Sequence, residues 1–162
     1  MRILGIDPGL ATTGFGVIER QGDQARFVDA GVITTPAGQA ELERLQTIHQ
    51  ELTQILGDVR PDRVAVEQLF FAANVTTAFS VGQARGVVLL AIAAAKLPLT
   101  EFTPLQVKQS MTGYGRATKA QIQEMVRLQL KLTSIPKPDD AADALAIALT
   151  CAQSINLRAA HV

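Results

Sequence analysis

A chain of 162 residues with 48% hydrophobic side chains can bury one substantial core, so a single domain over 1–162 is expected. Its longest apolar stretch, Gly86 to Ala95, stops at Lys96 and is too short to cross a bilayer, and the N-terminus lacks the pattern of a signal peptide, so a cytoplasmic location is expected. The net charge of zero lacks the overall basic excess common in nucleic-acid binders, yet seven basic and two acidic residues lie between Lys96 and Lys137, against two basic and five acidic between Gln39 and Asp62.

Arg2 to Ile6 reads as a short buried strand, broken by the turn-forming Asp7-Pro8-Gly9. Gly14 to Arg20 and Ala25 to Thr34 alternate apolar with other residues around the turn Gln21-Gly22-Asp23, which predicts a three-stranded antiparallel meander. Leu42, Leu45, Ile48, Leu52, Ile55 and Leu56 recur at helical spacing, and the pattern ends at Gly57 ahead of Pro61. Arg63 to Glu67 is a fourth strand. An alanine-rich helix from about Thr76 to Ala95 follows, then a fifth strand, Leu99 to Phe102.

Beyond Pro104 the spacing predicts helices to Met111 and from Lys119 to Leu130, with Gly113-Tyr114-Gly115 as a flexible break. A last helix starts near Asp139 and runs to about Ile155, leaving a frayed tail over 156–162. The lone cysteine, Cys151, lies in that helix and reads as a small buried side chain, because one cysteine forms no internal disulfide. This order of elements predicts an α/β fold, a mixed five-stranded sheet flanked by helices.

Asp7 and Glu67 each end a strand that is otherwise apolar, which would bring them together at the carboxyl edge of the sheet if the first and fourth strands are neighbours. Asp140 and Asp143 stand three apart on one helix and share a face. An isolated Asp139 or Asp140 would serve simply as a helix cap, but Asp143 sits among alanines, leucine and isoleucine, where an unpaired charge is costly. Such a set suits a hard cation such as Mg2+, whereas two histidines and one cysteine argue against zinc. Two such ions about 3.5–4 Å apart would serve in-line phosphodiester hydrolysis without a nucleophilic side chain.

Leu4-Gly5-Ile6-Asp7-Pro8-Gly9, Val66-Glu67-Gln68, Gly82-Gln83-Ala84-Arg85-Gly86, Val107-Lys108-Gln109 and Asp140-Ala141-Ala142-Asp143-Ala144-Leu145 together resemble, in order and spacing, the RuvC family of Holliday-junction resolvases over nearly the whole chain. The resemblance implies a ribonuclease H-like fold and a homodimer that nicks four-way DNA junctions symmetrically, leaving 5′-phosphate and 3′-hydroxyl ends for recombination and repair. It also implies Mg2+ or Mn2+ as cofactor and cooperation with RuvA and RuvB. It assigns Asp7, Glu67, Asp140 and Asp143 as metal ligands, Lys119 as a catalytic and DNA-contacting cation, and Arg85 and Lys108 as DNA contacts. Phe70 matches an aromatic that stacks on unpaired bases; for Phe70 or the adjacent Phe71, core packing is the competing reading. Ala73 stands where the family has a basic side chain. Asp139 adds an acid beside the usual pair, and helix geometry alone does not choose between it and Asp140; the motif chooses Asp140.

Three other readings stay open. Asp7-Pro8-Gly9 with Thr12, Thr13 and Gly14 is similar to the first phosphate loop of actin-like ATPases, although those enzymes close two domains around a nucleotide. The others are a DNA-binding module of the same fold without nuclease activity, and a broader nuclease of that fold, which would also cut linear duplex or RNA–DNA hybrid.

Overall fold

The computed structural model describes residues 1–68 and 75–159. In chain order the elements are β1 (Arg2–Asp7), β2 (Thr12–Gln21), β3 (Gln24–Thr34), α1 (Glu41–Val59), β4 (Arg63–Glu67), α2 (Val75–Ala94), β5 (Leu99–Phe102), α3 (Pro104–Thr112), α4 (Lys119–Gln129) and α5 (Asp139–Ala159). One five-stranded sheet runs β3-β2-β1-β4-β5. The pairs β1/β2 and β2/β3 are antiparallel, while β4 is parallel to β1 and β5 to β4, which makes the mixed sheet expected from the order of elements.

Strand periodicity decides which side chains meet which layer. Side chains alternate across a sheet, so on β1 Leu4 and Ile6 enter the core under α1 and α2, while Ile3 enters the core under α3, α4 and α5. On β4, Val64 and Val66 join the first layer and Ala65 the second. The same alternation carries Asp7 and Glu67 to the side of Ile3 and Ala65, the side covered by α5.

Glycines set how closely α5 lies. Gly5 pairs directly with Gly16, and Asp7 with Gly14, in the β1/β2 ladder. A Cβ at Gly16 would lie 2.7 Å from the backbone nitrogen of Leu145, one at Gly5 2.7 Å from that of Ala148, and one at Gly14 2.6 Å from the carbonyl carbon of Asp140. No side chain fits between sheet and helix here. The helix answers with Ala141, Ala144 and Ala148, all fully buried. Burial of this apolar surface, at roughly 25 cal/mol per Å2, holds α5 across the middle of the sheet.

Some details differ from expectation. The last helix continues to Ala159, so only residues 160–162 lie beyond it, outside the described residues. The segment Gly113-Tyr114-Gly115 is hydrogen-bonded rather than loose. The Thr112 hydroxyl donates to the Tyr114 carbonyl at 3.0 Å, and the Gly113 N–H caps α3 through Gln109 at 2.8 Å. Glycine at 113 serves the left-handed cap, φ 71°. Among the described residues no helix is long and apolar enough to cross a membrane.

Candidate active site at the carboxyl edge of the sheet

Asp7 ends β1 where the chain turns into Pro8-Gly9, and that turn is closed by the buried Thr13, whose hydroxyl donates to the Gly9 carbonyl at 2.7 Å. Glu67 ends the adjacent parallel strand β4. Asp140 and Asp143 lie in the first turns of α5, which the glycine floor draws against β1 and β2. One carboxylate oxygen from each of Asp7, Asp140 and Asp143 falls within 4.8 Å of the others. Glu67 is not part of that close group, but it lines the same cleft as Asp7 and Asp143, and its charge is the strongest of the acidic neighbours acting on Asp7.

The electrostatics follow from burial and crowding. Burial first, then the charges of Glu67, Asp143 and Asp140, push the Asp7 carboxyl up to about 7, against the opposing pull of Lys119. Glu67 is raised by burial and Asp143, with Lys108 opposing. Asp143 is raised chiefly by its own burial, while a hydrogen bond from Lys119 works the other way. Several carboxylates in a partly dry place, with too little positive charge nearby, are held ionised together only by a further cation. The all-oxygen donor set fits a hard divalent ion such as Mg2+ or Mn2+.

Asp139 belongs elsewhere. Its Oδ1 receives the Lys137 ammonium at 2.9 Å, and that contact holds its carboxyl below the usual range. The two adjacent acids, which spacing alone left equivalent, therefore divide: Asp140 joins Asp7 and Asp143, and Asp139 pairs with Lys137.

Two lysines flank the acids. Lys119 is the first residue of α4, which starts sharply because Thr118 and Gln121 form a reciprocal capping box. Its Nζ lies 2.8 Å from Oδ2 of Asp143. Lys108, on α3, lines the same cleft of about 210 Å3 together with Asp7, Glu67, Lys119 and Asp143, over a floor that includes Val107, Ile122 and Ile147. A larger cavity of about 620 Å3 lies between the β2–β3 turn and the ends of α4 and α5, but contains a single acid, Asp23. The acids and lysines gather in the smaller cleft.

Arg85 is not brought into this cleft. Its guanidinium is ion-paired with Glu101 and links α2 to β5. Phe70, Phe71 and Ala73 lie outside the described residues. Cys151 is fully buried within α5. Sequence reasoning missed the glycine floor, although Gly5, Gly14 and Gly16 inside apolar strands were a readable sign of close backbone approach. It also missed the Lys119–Asp143 contact, which depends on how α4 docks against α5.

Acids from two neighbouring parallel strands and a following helix, on a mixed sheet of this order, define a ribonuclease H-like nuclease fold, and solved structures similar to it include resolvases. Residues 3–151 match the family profile described as crossover junction endodeoxyribonuclease RuvC. A RuvC of Chloroflexus aggregans is 58% identical over 92% of this chain and 91% of its own length. The Thermus thermophilus RuvC structure is 40% identical, covers 97% of this chain and 96% of its own, and superposes with a TM-score of 0.88. The same protein in complex with a Holliday junction substrate reaches a TM-score of 0.91 at 39% identity, with the same coverage. The chain belongs to the RuvC family.

Proposed function

We propose that this chain, as one nuclease domain over 1–162, is a structure-selective endonuclease that resolves four-way DNA junctions. On this reading it cuts symmetrically by metal-dependent phosphodiester hydrolysis, leaving 5′-phosphate and 3′-hydroxyl ends, in recombination and repair. The observation that carries it is the meeting of Asp7, Asp140 and Asp143 within 4.8 Å, beside Glu67, in a RuvC-family chain. Asp7, Glu67, Asp140 and Asp143 would hold Mg2+ or Mn2+, two ions in number, whose chemistry there would be to activate water and to neutralise charge on the leaving oxygen.

The chain's own residues supply the rest. Lys119 places a fixed positive charge at the edge of the carboxylate set, where it offsets charge that builds on the phosphate. Lys108, which lines the same cleft, holds a strand phosphate over it. The apolar floor of Val107, Ile122 and Ile147 limits water around the acids and strengthens each charge interaction. Phe70 is assigned to stacking on an unpaired base. Arg85 is assigned to the fold rather than to DNA, because Glu101 already holds its guanidinium.

A homodimer suits a roughly two-fold substrate. Support comes from α2, whose stripe Phe79, Gly82, Gly86 and Leu90 follows helical spacing and leaves Phe79 69% and Leu90 61% exposed. Leu90→Glu is expected to sediment as a monomer. The enzyme would act in the cytoplasm on junctions moved by RuvA and RuvB.

The test is nicking of a labelled immobile four-way junction and a matched linear duplex, with Mg2+, Mn2+ or EDTA, resolving every strand. Paired nicks on opposite strands of the junction alone, lost in EDTA, are expected. Binding without cuts in either metal would favour the module without nuclease activity.

A further inference from the structure

The segment between α3 and α4 is built rigidly, yet presents two side chains without protein partners among the described residues. The Tyr114 ring is 57% exposed, and Arg116 is exposed and makes no ion pair. Their backbone is fixed. The Thr112 hydroxyl lies 2.9 and 3.0 Å from the Lys108 and Tyr114 carbonyls, which share its one proton, and it accepts the Tyr114 N–H at 3.2 Å. Ala117 anchors the far end in the core, and a Cβ on Gly115 would lie 2.6 Å from Leu105 Cδ1, so the loop presses on α3.

Beside the ring is a groove of about 480 Å3, lined by Thr112, Tyr114, Ala120, Gln121, Glu124 and Met125. Its chemistry is that of a flat, partly polar ring: an aromatic wall, a methionine and an alanine, and polar groups at the rim. The Gln121 side-chain oxygen accepts from the Thr118 N–H, which leaves its amide N–H groups as donors. Glu124 is held bidentately by Arg127, at 2.9 and 2.6 Å, so its charge toward a polyanion is offset.

Position selects the occupant. Arg116 stands three residues before Lys119, at most about 11 Å along the chain, and a strand rises about 3.4 Å per nucleotide. Tyr114 stands five residues before Lys119, at most about 18 Å along the chain, so a strand threaded past Lys108 and Lys119 reaches the ring within about five nucleotides. Resting on the junction-cleaving function proposed above, we propose that Tyr114 and its groove receive a nucleobase of the bound strand, within about five nucleotides of the cut, and that Arg116 holds a neighbouring phosphate. Tyr114 and Arg116 position the strand; neither touches the reacting atoms.

Tyr114→Ala is expected to raise KM for junction cleavage roughly tenfold, the scale of one lost base stack, with kcat within about twofold, while Tyr114→Phe matches the wild type. Arg116→Ala should lower the slope of log affinity against log salt by about 0.7–0.9, one phosphate's worth, and Arg116→Lys should keep it. In an Asp7→Asn background that binds without cutting, a junction with 2-aminopurine at these nucleotides should change fluorescence on binding, and lose that change with Tyr114→Ala. Circular dichroism melting should be unchanged, since the ring is exposed and the loop is held by backbone bonds. An unchanged KM in Tyr114→Ala, equal damage in Tyr114→Phe, or a 2-aminopurine signal indifferent to Tyr114 would overturn the base site even where the wild type cuts junctions. A wild type that binds and perturbs the probe but never cuts would reject the nuclease function and keep the base site.

Discussion

The Lys119 ammonium lies 2.8 Å from Oδ2 of Asp143 and joins the start of α4 to the first turns of α5. It is also 3.9 Å from Asp139 Oδ2, so one cation at the rim touches both the acid that belongs to the cleft and the acid that does not. The contact raises the Lys119 pKa through the Asp143 hydrogen bond, so the side chain stays charged throughout the neutral range.

Removing that charge should slow chemistry without emptying the cleft of its ligands. Lys119→Met is expected to lower the single-turnover rate by roughly 100-fold or more, the scale of a lost electrostatic stabiliser. Mn2+ affinity, measured by calorimetry, should be no weaker, because Asp143 loses a competitor. Weaker Mn2+ binding in step with the lost rate would show that Lys119 acts by organising ligands.

The raised Asp7 carboxyl makes the metal-free protein sensitive to pH in a defined direction. With a folded pKa of about 7 against an ordinary value of 3.8, the folded state holds a proton that the unfolded chain has released. Its stabilising contribution is therefore full below about pH 4, declines as pH rises, and is gone above about pH 7, by at most about 1.4 kcal/mol per pH unit. Chemical denaturation in EDTA should show wild-type stability falling relative to Asp7→Asn across that window. Mg2+ should stabilise the wild type more at pH 8 than at pH 5, and a difference between the two proteins that is flat with pH would contradict the burial of Asp7.

Asp139 and Asp140 are adjacent in sequence and opposite in expected consequence. Asp140→Asn should cost about 100-fold or more in metal-dependent cleavage, as should Asp7→Asn, with junction binding retained in gel-shift titrations. Asp139→Asn should stay within about threefold, since it weakens only exposed contacts, the pair with Lys137 and the longer one with Lys119. The reverse ranking would remove Asp140 from the ligand set.

Glycine-to-alanine changes should act with opposite signs according to what lies over each residue. Gly16→Ala meets the Leu145 backbone and should destabilise by about 1–3 kcal/mol through overpacking. Gly14→Ala meets Asp140 itself, so its cleavage rate should fall more than its stability predicts. Gly57→Ala, in α1 with nothing within 4 Å, should stabilise by up to about 1 kcal/mol. Melting and cleavage on the same preparations separate the three.

Much of the site was readable because strand ends and helix spacing are local rules. The apolar runs ending in Asp7 and Glu67 placed both acids at strand termini, and alternation with Ile3 and Ala65 put them on one side of the sheet. The three-residue spacing of Asp140 and Asp143 placed them on one helix face. The order of elements sufficed for the mixed sheet, and the five motifs for the family. The reach of α5 to Ala159 and the bonded loop around Tyr114 were not legible, because weak patterning and glycine content read as looseness when the hydrogen-bond partners are unknown.

By itself, then, the sequence determined which residues end strands, which share a helix face and which family the chain resembles, since each depends on neighbours a few positions away. Between Asp139 and Asp140 helix spacing could not choose and the family motif pointed to Asp140, but only the tertiary structure decided that Asp139 pairs with Lys137, that Lys119 bonds Asp143, and that Arg85 is held by Glu101. Those choices turn on where α5, α4 and α2 settle against distant strands. For α5 the deciding contact is between Gly14 and Asp140, where the absence of a side chain on one strand lets a helix more than a hundred residues later come within backbone contact.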